Sequence, residues 1–519
     1  LIEGSTNGVS FTGGAGTVVN SGILLGDTNR GVWLSAGGTV TNNLGGLITG
    51  RAQGIYADNG ASVVNSGTIT TGQGNGTAVE FNAGGLVNNT GSGLIEGYYG
   101  VQIAGGTITN AGTIIGTGAG PAPKLLARYG NVNYQNGFYG GGFAVFLDGG
   151  GSIDNTGTIT TTGGNFGDGV FAAYGAATLT NSGSITAPGH YGLGVYLHLG
   201  GTVVNNAGYI EGYSGVRVTG AAGAVGNTGT IVGIGPNGGI GIELFAGGSV
   251  ENAAGFIEGN VVGVNIAGGP GAVDNFGTIA ATGKGQVTGV NLAGGLVTNE
   301  AGGSITGNAD GIEMAGAPGT VVNFGDVYGT GASGTYAGIA LLAGGTVINS
   351  GSIAGSGGGY GIHIVGSGYV LNEADASIVG GTLGNFTEFT GHEGIYIQGS
   401  GTIVNFGTIS GAFPAGVKTN GGGLIVNEAN ALIEGYIAAG LFVAEGTIDN
   451  SGTIAGGVAG VELTLGTVIN SGVITAASYG GDPAAPRGIG IEVYGSGSVT
   501  NTMTGYIKGL RDGVLVHGS

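Results

Sequence analysis

The chain has 519 residues, 130 of them glycine, with 8% charged, 41% hydrophobic, nine prolines and no cysteine. Glycine is far above its usual share of about 7% but keeps no strict third position, so collagen, simple disorder, a disulfide scaffold and a Cys-ligated metal site are all excluded. Ten basic against 29 acidic side chains give a net charge of −19; this argues against nucleic acid or an anionic membrane as partner, and no run of about 18 apolar residues offers a membrane-spanning helix.

Leu1-Ile2-Glu3-Gly4 opens the chain in the phase of a segment that returns as Leu94-Ile95-Glu96-Gly97. From there an aliphatic-x-Asn tripeptide recurs to the end. Its asparagines are Asn20, Asn42, Asn65, Asn89, Asn110, Asn155, Asn181, Asn205, Asn227 and Asn252, then Asn275, Asn299, Asn323, Asn349, Asn372, Asn405, Asn427, Asn450, Asn470 and Asn501. Most steps are 20 to 26 residues long; three are 45, 33 and 31. Each unit holds three short segments: an A-strand ending in that Asn, a B-strand such as Gly67-Thr68-Ile69-Thr70, and a C-strand such as Gly100-Val101-Gln102-Ile103. Large aliphatics alternate with small or polar residues, the period of a strand, and Gly, Asn and Ser mark the corners. No helical period of useful length appears.

One such unit cannot bury its own apolar face, whereas stacked units can. The expected fold is all-β: residues 1–519 as one parallel β-helix, a solenoid of about twenty three-strand coils. At about 4.8 Å per coil it is a rod on the order of 100 Å long. The asparagines share the parity of the inward aliphatics, so they are expected to form a structural amide ladder. The last segment, Gly513-Val514-Leu515-Val516, is in C-strand phase. With no polar cap in sight, the expectation is a segment of a longer protein or a chain that stacks end to end.

The long steps all lengthen the corner between B- and C-strands, at about 117–142, 381–393 and 477–488. The first of these carries Lys124, Arg128 and Tyr129, and reads either as a recognition loop for a glycan or partner or as a flap that shields apolar surface. The middle residue of the C-strand is expected to face solvent. There Trp33, Tyr56, Phe146, Phe171 and Tyr196 stand ready to stack on sugar rings or on one another. On the A-strand the outward position reads Val322, Ile348, Leu371, Val404, Val426, Asp449, Ile469, an aliphatic stripe expected to serve lateral assembly.

Catalysis needs convergent groups, and the carboxylates are scattered. The best cluster is Glu462 and Glu492 with Asp482 and Arg487, read as solvated side chains on a strand face. His190, His198, His363, His392 and His517 lack ligand spacing. No enzyme activity, cofactor or metal is expected.

The phrase Asn65-Ser66-Gly67-Thr68-Ile69-Thr70, followed by Gly-Val-x-Leu-type and Gly-Gly-x-Val-x-Asn-type segments, resembles the passenger domains of type V secretion autotransporters and haemagglutinin-like adhesins. The likeness is one of repeat style and runs along the whole chain. It implies a right-handed, single-stranded β-helix exported to a bacterial cell surface. Its partners would be a host or neighbouring cell surface, glycans or itself. The outer membrane would be met only through a part of the parent chain outside these residues. The expected function is an extracellular structural or adhesive rod. The alternatives are a self-assembling fibre or sheath subunit and, third, a polysaccharide-degrading enzyme.

Overall fold

The structure, a computed structural model, describes residues 1–72, 75–118, 141–331, 336–356, 358–381, 392–477 and 488–517. Within them the chain is all-β, without a helix, and its parallel strands stack as a β-solenoid of about 19 turns. They divide into two compact units, Leu1–Asn260 with Val264–Gly268, and Val261–Gly263 with Gly269–Ser519.

In the first unit the repeat is plain from the opening coils. A-strands Gly16–Asn20 and Gly38–Asn42 are followed by B-strands Ile23–Gly26 and Leu47–Gly50 and by C-strands Arg30–Leu34 and Gln53–Ala57. Each strand pairs in parallel with its own kind one coil on. Val18 meets Val40 and Asn20 meets Asn42. Ile48 meets Ile69, which meets Ile95, and Val32 meets Ile55. The β-branched residues sit where strand propensity and burial both favour them. The B-strand isoleucines Ile48, Ile69, Ile95 and Ile114 are fully buried, each worth about 1.5–3 kcal/mol of transfer free energy. In two coils the C-strand runs straight into the next A-strand, as Thr77–Asn89 and Tyr99–Asn110.

The second unit repeats the plan. Val297 meets Val321 and Asn299 meets Asn323; Ile305 meets Val327, which meets Ile353. Fused C–A strands return as Ala439–Asn450 and Ala459–Asn470.

The asparagines run through both units as a hydrogen-bonded file. Each Nδ2 donates to the Oδ1 of the Asn one coil on at 2.7–2.9 Å, from Asn20 through to Asn252 in the first unit. The same contact runs from Asn275 through to Asn501 in the second. The Nδ2 group also reaches two main-chain carbonyls. For Asn42 these are Gly46 O in its own corner and Thr68 O in the next coil, both at 3.1 Å. Three acceptors surround this group, and only the NH2 end, with one of its two hydrogens shared, can donate to them, so the surroundings dictate the amide's orientation. Asn20 through Asn470 are at most 5% exposed; Asn501 is exposed.

Two glycine positions follow from this packing. A Cβ on Gly46 would lie 2.4 Å from Asn42 Oδ1 and 2.9 Å from Asn20 Nδ2. A Cβ on Gly38, at the C-to-A corner, would lie 2.0 Å from Gly16 O, and its φ of 139° suits glycine alone.

Asn323→Ala removes one rung. It takes one of three acceptors from Asn299 Nδ2 on one side, and on the other it takes the Nδ2 donor from Asn349 Oδ1 and from the carbonyls of Gly325 and Ser352. Unsatisfied buried groups cost about 1–3 kcal/mol apiece. Urea unfolding followed by circular dichroism should therefore show a loss of about 3 kcal/mol. Thr320→Ala, on the outward side of the same strand, should change stability by less than about 0.5 kcal/mol.

Candidate functional site: the outer face of the C-strands

Two side chains per C-strand point away from the core, the residue before its glycine and the last residue but one, as Arg30 and Trp33 do in Arg30–Leu34. Most of the polar and aromatic chemistry described below gathers there.

In the first unit, Arg30 and Trp33 project from one C-strand and Gln53 and Tyr56 from the next. The Arg30 guanidinium lies 3.8 Å from the Tyr56 ring centroid and 5.2 Å from that of Trp33, a cation–π arrangement. Trp33 Nε1 donates to Asp58 Oδ2 at 2.8 Å. Arg30 Nε donates to Gln53 Oε1, and Gln53 Nε2 donates to Glu80 Oε2. Burial pushes the Glu80 carboxyl above its ordinary range. Trp33 and Tyr56 are thus engaged by their own neighbours.

Phe146 and Phe171, expected to face solvent, are buried at 4% and 3% exposure. They pack with Tyr98, Tyr99 and Phe143, and Tyr196 leans against the cluster. Phe171 stacks on Phe146 at 5.4 Å and on Tyr196 at 5.0 Å. Rings at one coil spacing satisfy each other, which is why Phe146 and Phe171 are no open sugar platform. Beside them Asp168 is 3% exposed and accepts a bond from Leu193 N at 2.8 Å. Its carboxyl is pushed up to about 7 by burial, against the pull of that bond and of Arg217. Arg217 Nε itself bonds Glu243 Oε2 at 2.7 Å.

In the second unit the same face opens into a cavity of about 340 Å³. Its origin lies in one C-strand, Ala337–Leu341, whose two outward positions are both alanine. Ala340 pairs with Glu313 on one side and with His363 on the other, so the gap between those two side chains spans two strand spacings, about 9.6 Å. Asp310 and Glu313 form one wall. Asp310 is 7% exposed, and its Oδ1 accepts from Ala337 N at 2.6 Å. The Glu313 carboxyl stands close enough for its charge to act on Asp310. Burial and the Glu313 charge push Asp310 up to about 7, and burial raises Glu313 as well. His363 forms the opposite wall. It stacks on Tyr360 at 4.8 Å and on Tyr396 at 5.3 Å, and burial lowers its pKa, so it is neutral at pH 7.

Further along, Glu393 is 2% exposed, and its Oε2 takes no hydrogen bond. Lys418 Nζ stands 3.7 Å from its Oε1 and His392 Nδ1 stands 3.6 Å from Oε2. Glu462 and Glu492 pair in register and are not the freely solvated groups expected. Glu492 is buried, with His517 Nε2 2.7 Å from its Oε1, and burial together with the Glu492 charge raises Glu462.

The outward A-strand positions Val322, Ile348, Leu371, Val404 and Val426 lie in successive register and are half-buried, while Ile469 is exposed. Exposed Phe324, Phe406 and Leu424 flank them. The corresponding positions of the first unit include Thr41, Thr109, Asp154 and Thr180. Lys124, Arg128, Tyr129, Asp482 and Arg487 lie outside the described residues. Among the described residues no group of three His, Asp or Glu is placed to hold a metal.

Sequence reasoning passed over Asp168, Asp310, Glu313 and Glu393. Asp168, Asp310 and Glu393 each precede the C-strand glycine, a phase in which most coils place an uncharged residue.

Asp168 and Asp310 make a pH prediction. Their folded pKa values of about 7 exceed the unfolded value near 3.9. The stability carried by the protonated groups is complete below about pH 4 and is lost as pH rises through 7. Urea midpoints of the wild type should fall between pH 5 and pH 8, and the Asp168→Asn/Asp310→Asn variant should flatten that fall.

In comparisons with known proteins, no family model, no curated protein and no solved structure matches the chain.

Proposed function

We propose that the chain is an extracellular structural or adhesive rod, of the kind presented at bacterial cell surfaces, whose outward strand faces make multivalent contact with cells or glycans. The observation that carries this reading is the sorting of residues within each coil. Inward positions repeat almost without change, as Ile48, Ile69, Ile95 and Ile114 do. The outward A-strand position, exposed or half-buried, changes through Val19, Thr41, Val64, Asn88, Thr109 and Asp154 in successive coils. A core that repeats while one face varies suits a scaffold whose purpose is display. Weak contacts set at a regular spacing along one shaft add through avidity. The reading assigns the chain no reaction. The excess of acidic groups limits nonspecific attachment to anionic surfaces.

A second reading, a fibre or sheath subunit, is favoured by the aliphatic run from Val322 to Val426 with its flanking phenylalanines, since a second copy of the chain is the partner such a face would meet.

Surfaces coated with the purified chain should retain bacterial or host cells above the level of an albumin coat. No retention on any cell type would remove the adhesive reading. Light scattering on wild type and Val404→Asp separates the second: concentration-dependent assembly that the substitution abolishes supports a fibre, and identical masses dismiss it.

A further inference from the structure

We propose that the cavity over Ala340 in the second unit is a binding site for an uncharged pyranose unit of a polysaccharide. This deepens the adhesive reading and rests on it.

The geometry of the face supplies the argument. In the neighbouring C-strands at least one outward side chain is larger than alanine, Asp310 and Glu313 before this strand and Tyr360 and His363 after it, but here Ala337 and Ala340 leave one coil empty between two full ones. The resulting 340 Å³ falls at the small end of the ~300–1,000 Å³ typical of ligand sites. Its two walls differ in chemistry. The Asp310 and Glu313 carboxyls offer acceptors to paired hydroxyl groups. Opposite them, His363 is held in place by the Tyr360 and Tyr396 rings and by Gln398, whose Nε2 lies 3.0 Å from His363 Nε2. Tyr336 and Leu342 add apolar surface, and Thr288 a further hydroxyl. Polar walls joined by the apolar surface of Ala309, Ala340 and Leu342 suit a ring that has both an apolar face and a hydroxyl rim. Charge narrows the class. Two adjacent carboxyls and a lining without Lys or Arg give a uronic or sialic acid repulsion with no compensating cation.

The test is isothermal titration of the full chain with mannotetraose, cellotetraose, laminaritetraose and tetragalacturonate. At least one neutral tetrasaccharide should bind, and at least tenfold more tightly than tetragalacturonate. Ala340→Phe, which fills the cavity, should weaken that binding at least tenfold. Glu313→Gln, which keeps the shape, should weaken it by a comparable factor, and both variants should keep the wild-type dichroism spectrum. Binding unchanged by Ala340→Phe, a preference for tetragalacturonate, or no binding of any neutral tetrasaccharide would overturn the proposal. Cell retention by the Ala340→Phe variant separates the two readings: undiminished retention alongside a failed titration overturns the pocket and leaves the adhesive reading standing.

Discussion

The hydrogen bond from one asparagine amide to the next is the interaction on which the rest of the structure depends. An amide has a donor end and an acceptor end, so a file of them at strand spacing satisfies itself along the whole stack. The file works only if every coil presents its Asn in the same phase. Burial of one face already penalises a one-residue slip, which would turn the aliphatics outward, and the amide file adds to that penalty. A coil slipped by one residue would face its Asn outward, leaving two buried carbonyls unpaired and breaking the contact above and below. The ladder thus converts a tandem sequence repeat into a single register, as between Asn42, Asn65 and Asn89.

The same file explains the composition. At Gly46 a side chain would strike the amides of Asn42 and Asn20. At Gly38 backbone conformation and close approach both forbid one. Glycine in strands ordinarily weakens them, and here the loss is offset by buried isoleucines and amide hydrogen bonds in each coil. Charge is scarce because the inward positions cannot hold it. Where charge does occur on the outer C-strand face it tends to be crowded. Asp168, Asp310 and Glu393 are all nearly buried, although the side chains point away from the solenoid core, because neighbouring coils and corners close over them.

Coil phase, strand order and the inward asparagines were legible in the sequence, since each rests on a period that any single coil displays. The fate of outward residues was not. Phe146 and Phe171 read as solvent-facing from strand parity, and parity is right about direction. Burial, however, depends on what packs beside them, Tyr99 and Phe143, from adjacent positions that the strand pattern does not weigh. The cavity was hidden for the opposite reason. It arises from two small residues, Ala337 and Ala340, whose meaning appears only when the coils before and after are placed in register. Asp310 and Glu313, three apart in sequence, look unremarkable until the strand between them turns both to one face.

The most direct test of this account is the hydrogen-exchange rate of asparagine side-chain amides, followed by NMR with selective ¹⁵N-asparagine labelling. Ladder residues such as Asn65 and Asn323 should retain their Nδ2 protons far longer than outward Asn43 and Asn59, because release requires local unfolding of a coil. If ladder and outward amides exchange at the same rate, the asparagine file does not hold the coils together and the account fails.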